Sequence, residues 1–386
     1  MPPLRFLLIA TTLVGLLHFY IGLRLLPDLP GPVWIHSLLC VALVLSTLLQ
    51  PLGLALRGLR NERLRDLLSW TAMTAMGVFS SLLVFTVLRD LFLLGAIVIH
   101  AYGFATVDFN QLQTMTAPLV LVLALLISIV GFVNARRLAQ VVEIKVPLQN
   151  LPDALHGFRI VQISDIHVGP TIKRDYLERI VERVNALEAD LIAITGDLVD
   201  GRVKELSEHT LPLSSLRARH GSYFVTGNHE YYSGALDWIV ELNKLGIRVL
   251  LNEHVQIAHN GAALVVAGVT DYSGGSFYDD HRSDPHAAKM GAPLDATSIL
   301  LAHQPRSAEA ASRAGFDLQL SGHTHGGQFW PWNYFVPLQQ PYTAGLHRLN
   351  ALLVYVSRGT GYWGPPKRFG APSEITCLRL VSESAS

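Results

Sequence analysis

One stretch decides the fold of this 386-residue chain: Leu191-Ile-Ala-Ile-Thr-Gly-Asp-Leu-Val-Asp200. Its apolar, partly β-branched beginning predicts a buried strand that ends at Gly196. The residue after that glycine is a carboxylate, Asp197. Because open α/β sheets place their chemistry at the carboxyl ends of their strands, we predict that Asp197 lies in a functional site.

Four other strand-like runs also end in side chains of the kind that bind metal ions. These runs are followed by Asp165 and His167, by Asn228 and His229, by His303, and by His323 and His325. A single histidine of this kind is more often a surface residue or a hydrogen-bonded core residue. Five such clusters, each after a strand-like run, would rarely coincide by chance. We therefore predict that Asp197 bridges two metal ions held by these clusters.

The composition divides the chain into two unlike parts. Residues 1–140 contain 9 arginines, no lysine and 5 acidic residues, so they carry a net charge of +4 and residues 141–386 carry −4. Thirteen of the 16 histidines follow residue 150. A histidine-rich, mildly acidic part favours metal binding, and it lacks the basic excess typical of nucleic-acid-binding proteins. The two cysteines, Cys40 and Cys377, provide neither a disulfide framework nor a CxxC zinc spacing.

The first part is predicted to cross a membrane four times. Apolar runs at about 6–23, 33–56, 67–88 and 117–135 contain no charged residue, and each supplies the ~20 residues that span a bilayer. Helices buried in a soluble core are the alternative, but apolar runs of this length seldom occur there. Residues 91–107 are also apolar, and we interpret them as a helical extension or an interfacial segment, with a fifth span as the alternative. The first run lacks a small-x-small cleavage site, which argues against a signal peptide.

The arginine residues predict the orientation of these spans. Arg57, Arg60, Arg63 and Arg65 lie between the second and third runs, and Arg136 and Arg137 follow the fourth. By the positive-inside rule, both segments face the cytoplasm. We therefore predict a multi-pass protein of the inner (plasma) membrane whose C-terminal domain lies in the cytoplasm.

Five motifs in the second part resemble those of the calcineurin-like metallophosphoesterase superfamily, and in particular its membrane-attached bacterial branch of predicted phosphohydrolases. They are Asp165-x-His167, Gly196-Asp197-x-x-Asp200, Gly227-Asn228-His229-Glu230, His303 and Gly322-His323-x-His325. The last is the most specific, because glycines let two histidines approach a site closely. The resemblance implies an α/β, four-layer sandwich of two mixed β-sheets flanked by helices, preceded by an N-terminal bundle of about four transmembrane helices. The predicted domains are a transmembrane domain at 1–137, a linker with an edge strand at 138–150, and a metallophosphoesterase domain at 151–386.

The resemblance also implies the role of each site residue. One metal ion would take Asp165, His167, Asp197 and His325, and the other would take Asp197, Asn228, His303 and His323. His229 would lie over the scissile phosphate as the catalytic residue, without binding metal. Asp200 and Glu230 would support the loops.

This ligand set predicts hydrolysis of a phosphate ester. Two cations ~3.5–4 Å apart need a bridging anion and suit an in-line phosphoryl displacement. A hydroxide that bridges them would attack phosphorus directly, so no serine or cysteine nucleophile is required. Histidine, aspartate and asparagine ligands leave Mn, Fe and Zn open as the two divalent ions. We predict a membrane-anchored metal-dependent phosphohydrolase that favours phosphodiesters over phosphomonoesters.

The sequence beyond the last motif indicates a place for the substrate. Residues 329–335 are rich in aromatics, and Arg358 and Arg368 follow them. Ordinary packing and solvated charge are one explanation of this segment. The other is an apolar lip beside the metals, with Arg358 or Arg368 making a bidentate phosphate contact. Next to a membrane anchor, such a lip would suit a lipid phosphate or a lipid-linked nucleotide.

Other classes of protein remain as alternatives. A membrane sensor or transporter with a metal-binding regulatory domain is one, although the four apolar runs lack the charged residues that mark transport pathways. A metal-binding site without turnover is a second, and the presence of His229 beside every ligand argues against it. A nuclease is a third, but a net charge of −4 gives little affinity for a polyanion, and we expect no nucleic-acid partner. The sequence leaves the oligomeric state undetermined.

Overall fold

The structure, a computed structural model, describes residues 4–55 and 61–383. The chain forms two compact units. The first comprises Met1–Asn134 with Gly364–Lys367, and the second comprises Ala135–Trp363 with Arg368–Ser386.

The first unit contains four helices that are long and apolar enough to cross a membrane, as predicted. They are α1 (Leu4–Leu25), α2 (Val33–Ala55), α3 (Glu62–Ala101) and α4 (Phe109–Arg136). Helix α3 has 40 residues and continues through Arg89 and Asp90, so residues 91–101 are a helical extension of the third predicted span. Of the arginines used to orient the spans, Arg57 and Arg60 lie outside the described residues.

Charged residues of the first unit form ion pairs with one another. Arg89 is buried, and its Nη2 atom lies 2.5 Å from Asp28 Oδ2. The Nε atom of Arg89 also donates to Thr116 Oγ1 at 2.9 Å. Arg24 Nε donates to both carboxylate oxygens of Asp90 at 2.9 Å. Because charges within membrane helices are tolerated when they are paired, these contacts explain how four ionisable residues fit beside apolar helices.

The second unit is built on twelve strands in two sheets. The strands are β1 (Gln140–Leu148), β2 (Arg159–Ile163), β3 (Leu191–Ile194), β4 (Ser222–Phe224), β5 (Arg248–Val249), β6 (Glu253–His259), β7 (Ala262–Gly268), β8 (Thr297–Leu301), β9 (Leu318–Ser321), β10 (Gly345–Leu349), β11 (Leu352–Val356) and β12 (Glu374–Ser382). The helices of this unit are α5 (Arg174–Asn185), α6 (Val203–Thr210), α7 (Asn228–Ser233), α8 (Ala235–Lys244), α9 (Pro285–Lys289) and α10 (Ala308–Arg313).

Both sheets are mixed. The first has the order β1-β12-β2-β3-β4-β5, and the second has the order β10-β11-β9-β8-β7-β6. Strands β2 to β5 are parallel, and β12 lies between β1 and β2, parallel to the former and antiparallel to the latter. In the second sheet β7, β8, β9 and β11 are parallel. The hairpin of β6 and β7 turns at Asn260-Gly261, where both φ angles are positive, as a tight hairpin turn requires.

The core lies between the two sheets and continues under helices on both outer faces. Apolar side chains from both sheets, among them Ile160 of β2 and Leu320 of β9, form the central cluster. Helix α5 covers the first sheet through Leu177, Ile180 and Val184, which share one helical face. Helix α10 covers the second sheet. Strands covered on both faces are nearly continuously apolar, as in β3, β8 and β11, which are buried along their whole length. The predicted four-layer α/β sandwich is confirmed.

Candidate metal centre

Five strands direct their carboxyl ends to one place. Strand β2 is followed by Asp165 and His167, β3 by Asp197, β4 by Asn228, β8 by His303, and β9 by His323 and His325. Ligand atoms of the aspartates and histidines among these residues, together with His229, form three groups, each within 4.8 Å. The groups are Asp165, His167 and His325; His167, Asp197 and His229; and Asp197, His303 and His323. The structure therefore brings the predicted ligands together.

The first group contains two imidazole nitrogens that face each other. His167 Nε2 lies 3.1 Å from His325 Nε2, and the latter lies 3.5 Å from Asp165 Oδ1. All three residues are buried. Burial, the positive charge of Arg368 and the nearby His167 hold the pKa of His325 well below its usual range. A neutral imidazole beside a carboxylate is the state in which histidine binds a metal ion.

The group of Asp197, His303 and His323 is arranged around His303. Its Nε2 atom lies 3.3 Å from Asp197 Oδ2 and 3.2 Å from His323 Nδ1. Its Nδ1 atom lies 2.7 Å from the carbonyl oxygen of Thr195. Donation from Nδ1–H to that carbonyl leaves the lone pair of Nε2 directed at the group, the arrangement that orients histidine ligands in metal sites.

Asp197 belongs to two of the three groups. Its Oδ2 atom lies 3.9 Å from the Nε2 atoms of both His167 and His229. Its Oδ1 atom accepts a hydrogen bond of 2.8 Å from the backbone N–H of His229. Although burial raises its pKa, His303 and His229 more than offset this, so the pKa of Asp197 lies well below its usual value. An ionised carboxylate between two ligand groups has the position that a bridging ligand requires.

Asn228 provides an independent test of metal binding. Its Oδ1 atom is buried and has no hydrogen-bond partner among the described residues. An unsatisfied buried amide oxygen costs about 1–3 kcal/mol, so a structure that retains one needs a further partner at that atom. A divalent cation is such a partner, because it accepts neutral oxygen ligands together with imidazole and carboxylate. The residues present therefore fit metal ions.

Asp200 orients two histidine rings. Its Oδ1 atom lies 3.2 Å from His167 Nδ1 and also accepts a hydrogen bond from His229 Nδ1. Burial raises the pKa of Asp200, but His167 and His229 together lower it far below its usual value. The resemblance implied only loop support for Asp200. Its contact with both Nδ1 atoms is more specific, since it directs both Nε2 atoms towards Asp197.

Glu230 holds the loop that carries Asp197. Its carboxylate accepts the backbone N–H of Asp197 at 3.0 Å, of Leu198 at 2.8 Å and of Gly227 at 2.6 Å. Burial and the negative charge of Asp197 raise the pKa of Glu230 to about 8, so these hydrogen bonds do not depend on a full charge. They join the loop after β3 to the loop after β4.

His229 is partly buried beside two aromatic rings. Its ring centroid lies 5.3 Å from that of Tyr232 and 5.8 Å from that of Trp363. Burial lowers its pKa, but Asp197 and Asp200 raise it to about 9. Tyr232 follows His229 by three residues on helix α7, a spacing that brings two helical side chains together. The sequence contained no signal for Trp363, because its loop is far from His229 in the chain.

The backbone of the site is strained at its ligands. Positive φ angles occur at Asp165 (53°), His167 (57°), Asp197 (51°), His323 (70°) and His325 (52°). Such angles are uncommon outside glycine and concentrate at functional sites.

Close packing also restricts the glycines of the motifs. A Cβ atom on Gly196, whose φ is +84°, would lie 2.7 Å from both Gly227 N and His303 Nδ1.

Arg368 does not have the position predicted for phosphate binding. Arg368 is fully buried, and its Nη1 atom donates to the carbonyl oxygens of Arg358 at 2.7 Å and of His325 at 3.0 Å. Arg358 forms an ion pair of 2.5 Å with Glu374. The burial of Arg368 gives it a role in holding the loop of His325, whereas the partly exposed Arg358 pairs with Glu374, and its phosphate contact stays a prediction.

The fold and this site together define a class of protein, the metal-dependent phosphoesterases. The family model described as calcineurin-like phosphoesterase matches residues 158–327, and the chain belongs to this family.

Relatives within the family differ in how much of their length they share with this chain. An uncharacterized metallophosphoesterase from Campylobacter jejuni is 31% identical over 384 residues, which are 98% of each chain. Proteins named transmembrane protein with metallophosphoesterase domain are similar over a smaller share. The one from Danio rerio is 39% identical over 68% of this chain and 62% of its own, and the one from Bos taurus is 40% identical over 71% and 64%. The chain thus spans less than two thirds of the length of these two vertebrate relatives.

Proposed function

We propose that this protein is a membrane-anchored phosphohydrolase with two divalent metal ions, favouring phosphodiesters over phosphomonoesters. The observation that carries the proposal is the position of Asp197 in two ligand groups, together with the unpartnered Oδ1 atom of Asn228. The first metal site would be formed by Asp165, His167, Asp197 and His325, and the second by Asp197, Asn228, His303 and His323.

The proposed reaction is attack of water on the phosphate ester. When bound, the two ions supply positive charge for the phosphoryl oxygens and lower the pKa of the attacking water. The residues of the chain orient the substrate and supply the proton that the leaving oxygen takes up. His229 Nδ1 is held by Asp200, so its Nε2 atom faces the side of Asp197 and would donate a proton to the leaving oxygen. A positioned acid of this kind contributes typically 10²–10⁴-fold to the rate.

The aromatic rings beside His229 favour a diester. Tyr232 and Trp363 are 64% and 50% exposed, so they offer apolar surface next to the proposed acid. A phosphodiester has an organic group on each side of phosphorus, whereas a monoester has one, and the additional group would pack on these rings. Trp332, Tyr334 and Phe335 are also exposed, as the predicted apolar lip requires. In a chain with four membrane helices, this lip supports a lipid phosphate or lipid-linked nucleotide as the substrate.

The test of the proposed function uses full-length protein in detergent. The protein is stripped of metal and then supplied with Mn²⁺, Fe²⁺ or Zn²⁺, and hydrolysis of bis(p-nitrophenyl) phosphate and of p-nitrophenyl phosphate is measured. Turnover that returns with metal and disappears in Asp197→Ala is the expected result. Metal binding without turnover of either ester would contradict the enzyme and favour a membrane sensor with a metal-binding regulatory domain. Equal activity on soluble nucleotide diesters and on lipid-linked ones would contradict the lipid substrate.

The cytoplasmic position of the catalytic domain is part of the proposal. Arg63 and Arg65 at the start of α3, and Arg136 and Arg137 at the end of α4, favour the inner side for these segments by the positive-inside rule. A reporter that is active only in the cytoplasm is expected to be active when fused after Ser386. Activity of a periplasmic reporter at the same position would reverse the proposed orientation.

A further inference from the structure

A cavity lies in the metallophosphoesterase unit, outside the groups of metal ligands. Its volume is about 410 Å³, within the usual range of small-molecule sites. The loop after β7 contributes Tyr272, and the segment before α9 contributes Arg282 and Ser283. The segment from β8 into α10 contributes Arg306 and Arg313. We refer to it as the arginine pocket.

The lining of the arginine pocket is positively charged. Three arginines, at positions 282, 306 and 313, face one acidic residue, Glu309. Arg313 and Glu309 form an ion pair of 3.7 Å, but their side chains are 66% and 80% exposed, so solvent screens this pair. Within residues 4–55 and 61–383, the side chain of Arg282 forms no ion pair. A pocket with this excess of positive charge attracts anions.

Two hydrogen-bond donors of this pocket are buried and have no partner. The Nε atom of Arg306 and the Oγ atom of Ser283 are both inaccessible to solvent, and neither makes a hydrogen bond in the described part of the chain. Guanidinium nitrogens can only donate, and a hydroxyl group can also donate. Burial of such groups without a partner costs about 1–3 kcal/mol each. Both atoms belong to residues that line the arginine pocket.

The guanidinium group of Arg306 is fixed in place. Its Nη2 atom donates to the carbonyl oxygen of Gln339 at 2.7 Å, and its Cζ atom lies 5.0 Å from the centroid of the Tyr272 ring. This stacking leaves the orientation of Nε constant, as recognition of a planar or tetrahedral oxyanion requires. The pocket is thus preformed around a donor that has no protein acceptor.

The arginine pocket adjoins the second proposed metal site. Arg306 follows the ligand His303 by three residues, and its backbone N–H donates to Gln340 Oε1 at 3.3 Å. Gln340 in turn donates to Gln304 Oε1 at 3.2 Å, beside His303. Arg306 therefore lines the pocket and is linked through Gln340 to the residue that follows His303.

We infer that the arginine pocket binds a second anionic group of the substrate, a phosphate or a carboxylate, while the scissile phosphate lies at the metals. This inference rests on the proposed function and deepens it, because it restricts the substrate to esters with an additional negative charge. Arg306 and Arg282 supply the positive charge, and Ser283 supplies a neutral donor. A phosphate fills only part of a cavity of 410 Å³, so several further atoms of the substrate also fit.

The test compares three p-nitrophenyl phosphodiesters that differ only in their second alcohol. The alcohols are 3-hydroxypropanoate, 1,3-propanediol monophosphate and neutral 1,3-propanediol. Values of kcat/KM are measured for full-length, metal-loaded protein and for Arg282→Gln, Arg306→Gln and Arg248→Gln. Arg248 is an exposed residue of β5 and serves as the matched control. We expect the native protein to prefer at least one anionic ester by tenfold or more, Arg282→Gln and Arg306→Gln to lose most of that preference, and Arg248→Gln to retain it.

The outcomes separate this inference from the proposed function. Turnover of all three esters at equal kcat/KM would overturn the inference and leave the hydrolase intact. Absence of turnover of every ester would contradict the proposed hydrolase activity. In that case direct binding tests whether the arginine pocket binds an anion. Calorimetry of 1,3-propanediol monophosphate with metal-free protein is expected to show binding that weakens tenfold or more in Arg282→Gln. Equal binding by the native protein and Arg282→Gln would overturn the inference that the arginine pocket binds an anion.

Discussion

The Oδ1 atom of Asp200 accepts a hydrogen bond from His229 Nδ1, and this contact determines which nitrogen of the His229 ring faces Asp197. The same oxygen lies 3.2 Å from His167 Nδ1. One carboxylate thus orients a predicted metal ligand and the predicted acid together. Loss of this carboxylate should affect metal binding and turnover in the same variant.

Asp200→Asn is expected to lower kcat by about 10–100-fold, the usual effect of losing a carboxylate that supports a histidine ligand. The amide keeps the shape of the side chain but removes the negative charge beside both rings. Steady-state kinetics and metal content by mass spectrometry would measure the two effects. Asp295→Asn, a change at an exposed site, is the control and should behave as the native protein. A fully active Asp200→Asn would show that ring orientation does not depend on this carboxylate.

Asn228→Ala is expected to reduce the bound metal from two ions per chain towards one. The substitution removes the buried Oδ1 atom that has no partner among the described residues, and it leaves the ligands of the other proposed metal site in place. Metal content after equilibrium dialysis measures the change, and activity should fall by about 100-fold or more, as a loss of transition-state charge stabilisation implies. The exposed Asn243→Ala should retain both ions. Two ions in Asn228→Ala would remove Asn228 from the ligand set.

Gly196→Ala is expected to destabilise the protein more than Gly221→Ala. Both glycines have nearly the same backbone angle, with φ of +84° and +85°, so the conformational cost of alanine, about 1–2 kcal/mol, is shared. A Cβ atom on Gly221 meets open space, whereas one on Gly196 meets Gly227 and His303. Thermal unfolding followed by tryptophan fluorescence compares them. Equal Tm values would show that the close approach of the two loops adds nothing to stability.

Arg89→Leu is expected to destabilise the membrane unit strongly, because it leaves Asp28 without its ion-pair partner. Removal of one partner of a buried pair costs about 3–5 kcal/mol, whereas replacement of both by apolar residues is often neutral. The double variant Arg89→Leu with Asp28→Leu should therefore recover part of the loss. Resistance to unfolding in detergent is measured for the native protein, for Arg89→Leu and for the double variant. A double variant that is less stable than Arg89→Leu would contradict a pair whose main effect is to neutralise charge.

The resemblance to a known family implied the sandwich, whereas the ligand clusters were predicted from local signals. A buried parallel strand is a short apolar run, and in one parallel sheet such runs end at the same edge, so Asp165 after β2 and Asp197 after β3 are expected to meet. The environment of Arg368 has no such signal. Its acceptors are the carbonyl oxygens of His325, Arg358 and Ala371, which converge only through the folding of separate loops. From the sequence, a buried arginine and a phosphate-binding arginine look alike.

The arginine pocket escaped sequence analysis for the same reason. Arg282 and Arg306 are 24 residues apart, and neither belongs to a motif. Their common feature, a cavity with unpartnered donors, exists only after β7, β8 and α10 have packed. Long-range loop contacts therefore define the arginine pocket and the partners of Arg368, whereas local patterns indicated the strands and the ligand clusters.

The position of β12 between β1 and β2 also determines when the metallophosphoesterase unit can be completed during synthesis. Strand β1 reaches its own sheet only through pairing with β12, in the register of Gln140 with Glu374. Every other strand of both sheets leaves the ribosome earlier than β12. Until translation passes residue 382, β1 and β2 both expose an unpaired edge, and a nascent chain in this state is open to association with other chains. A chain whose synthesis stops before Glu374 would therefore be an aggregation-prone intermediate, whereas synthesis of β12 lets the sheet close.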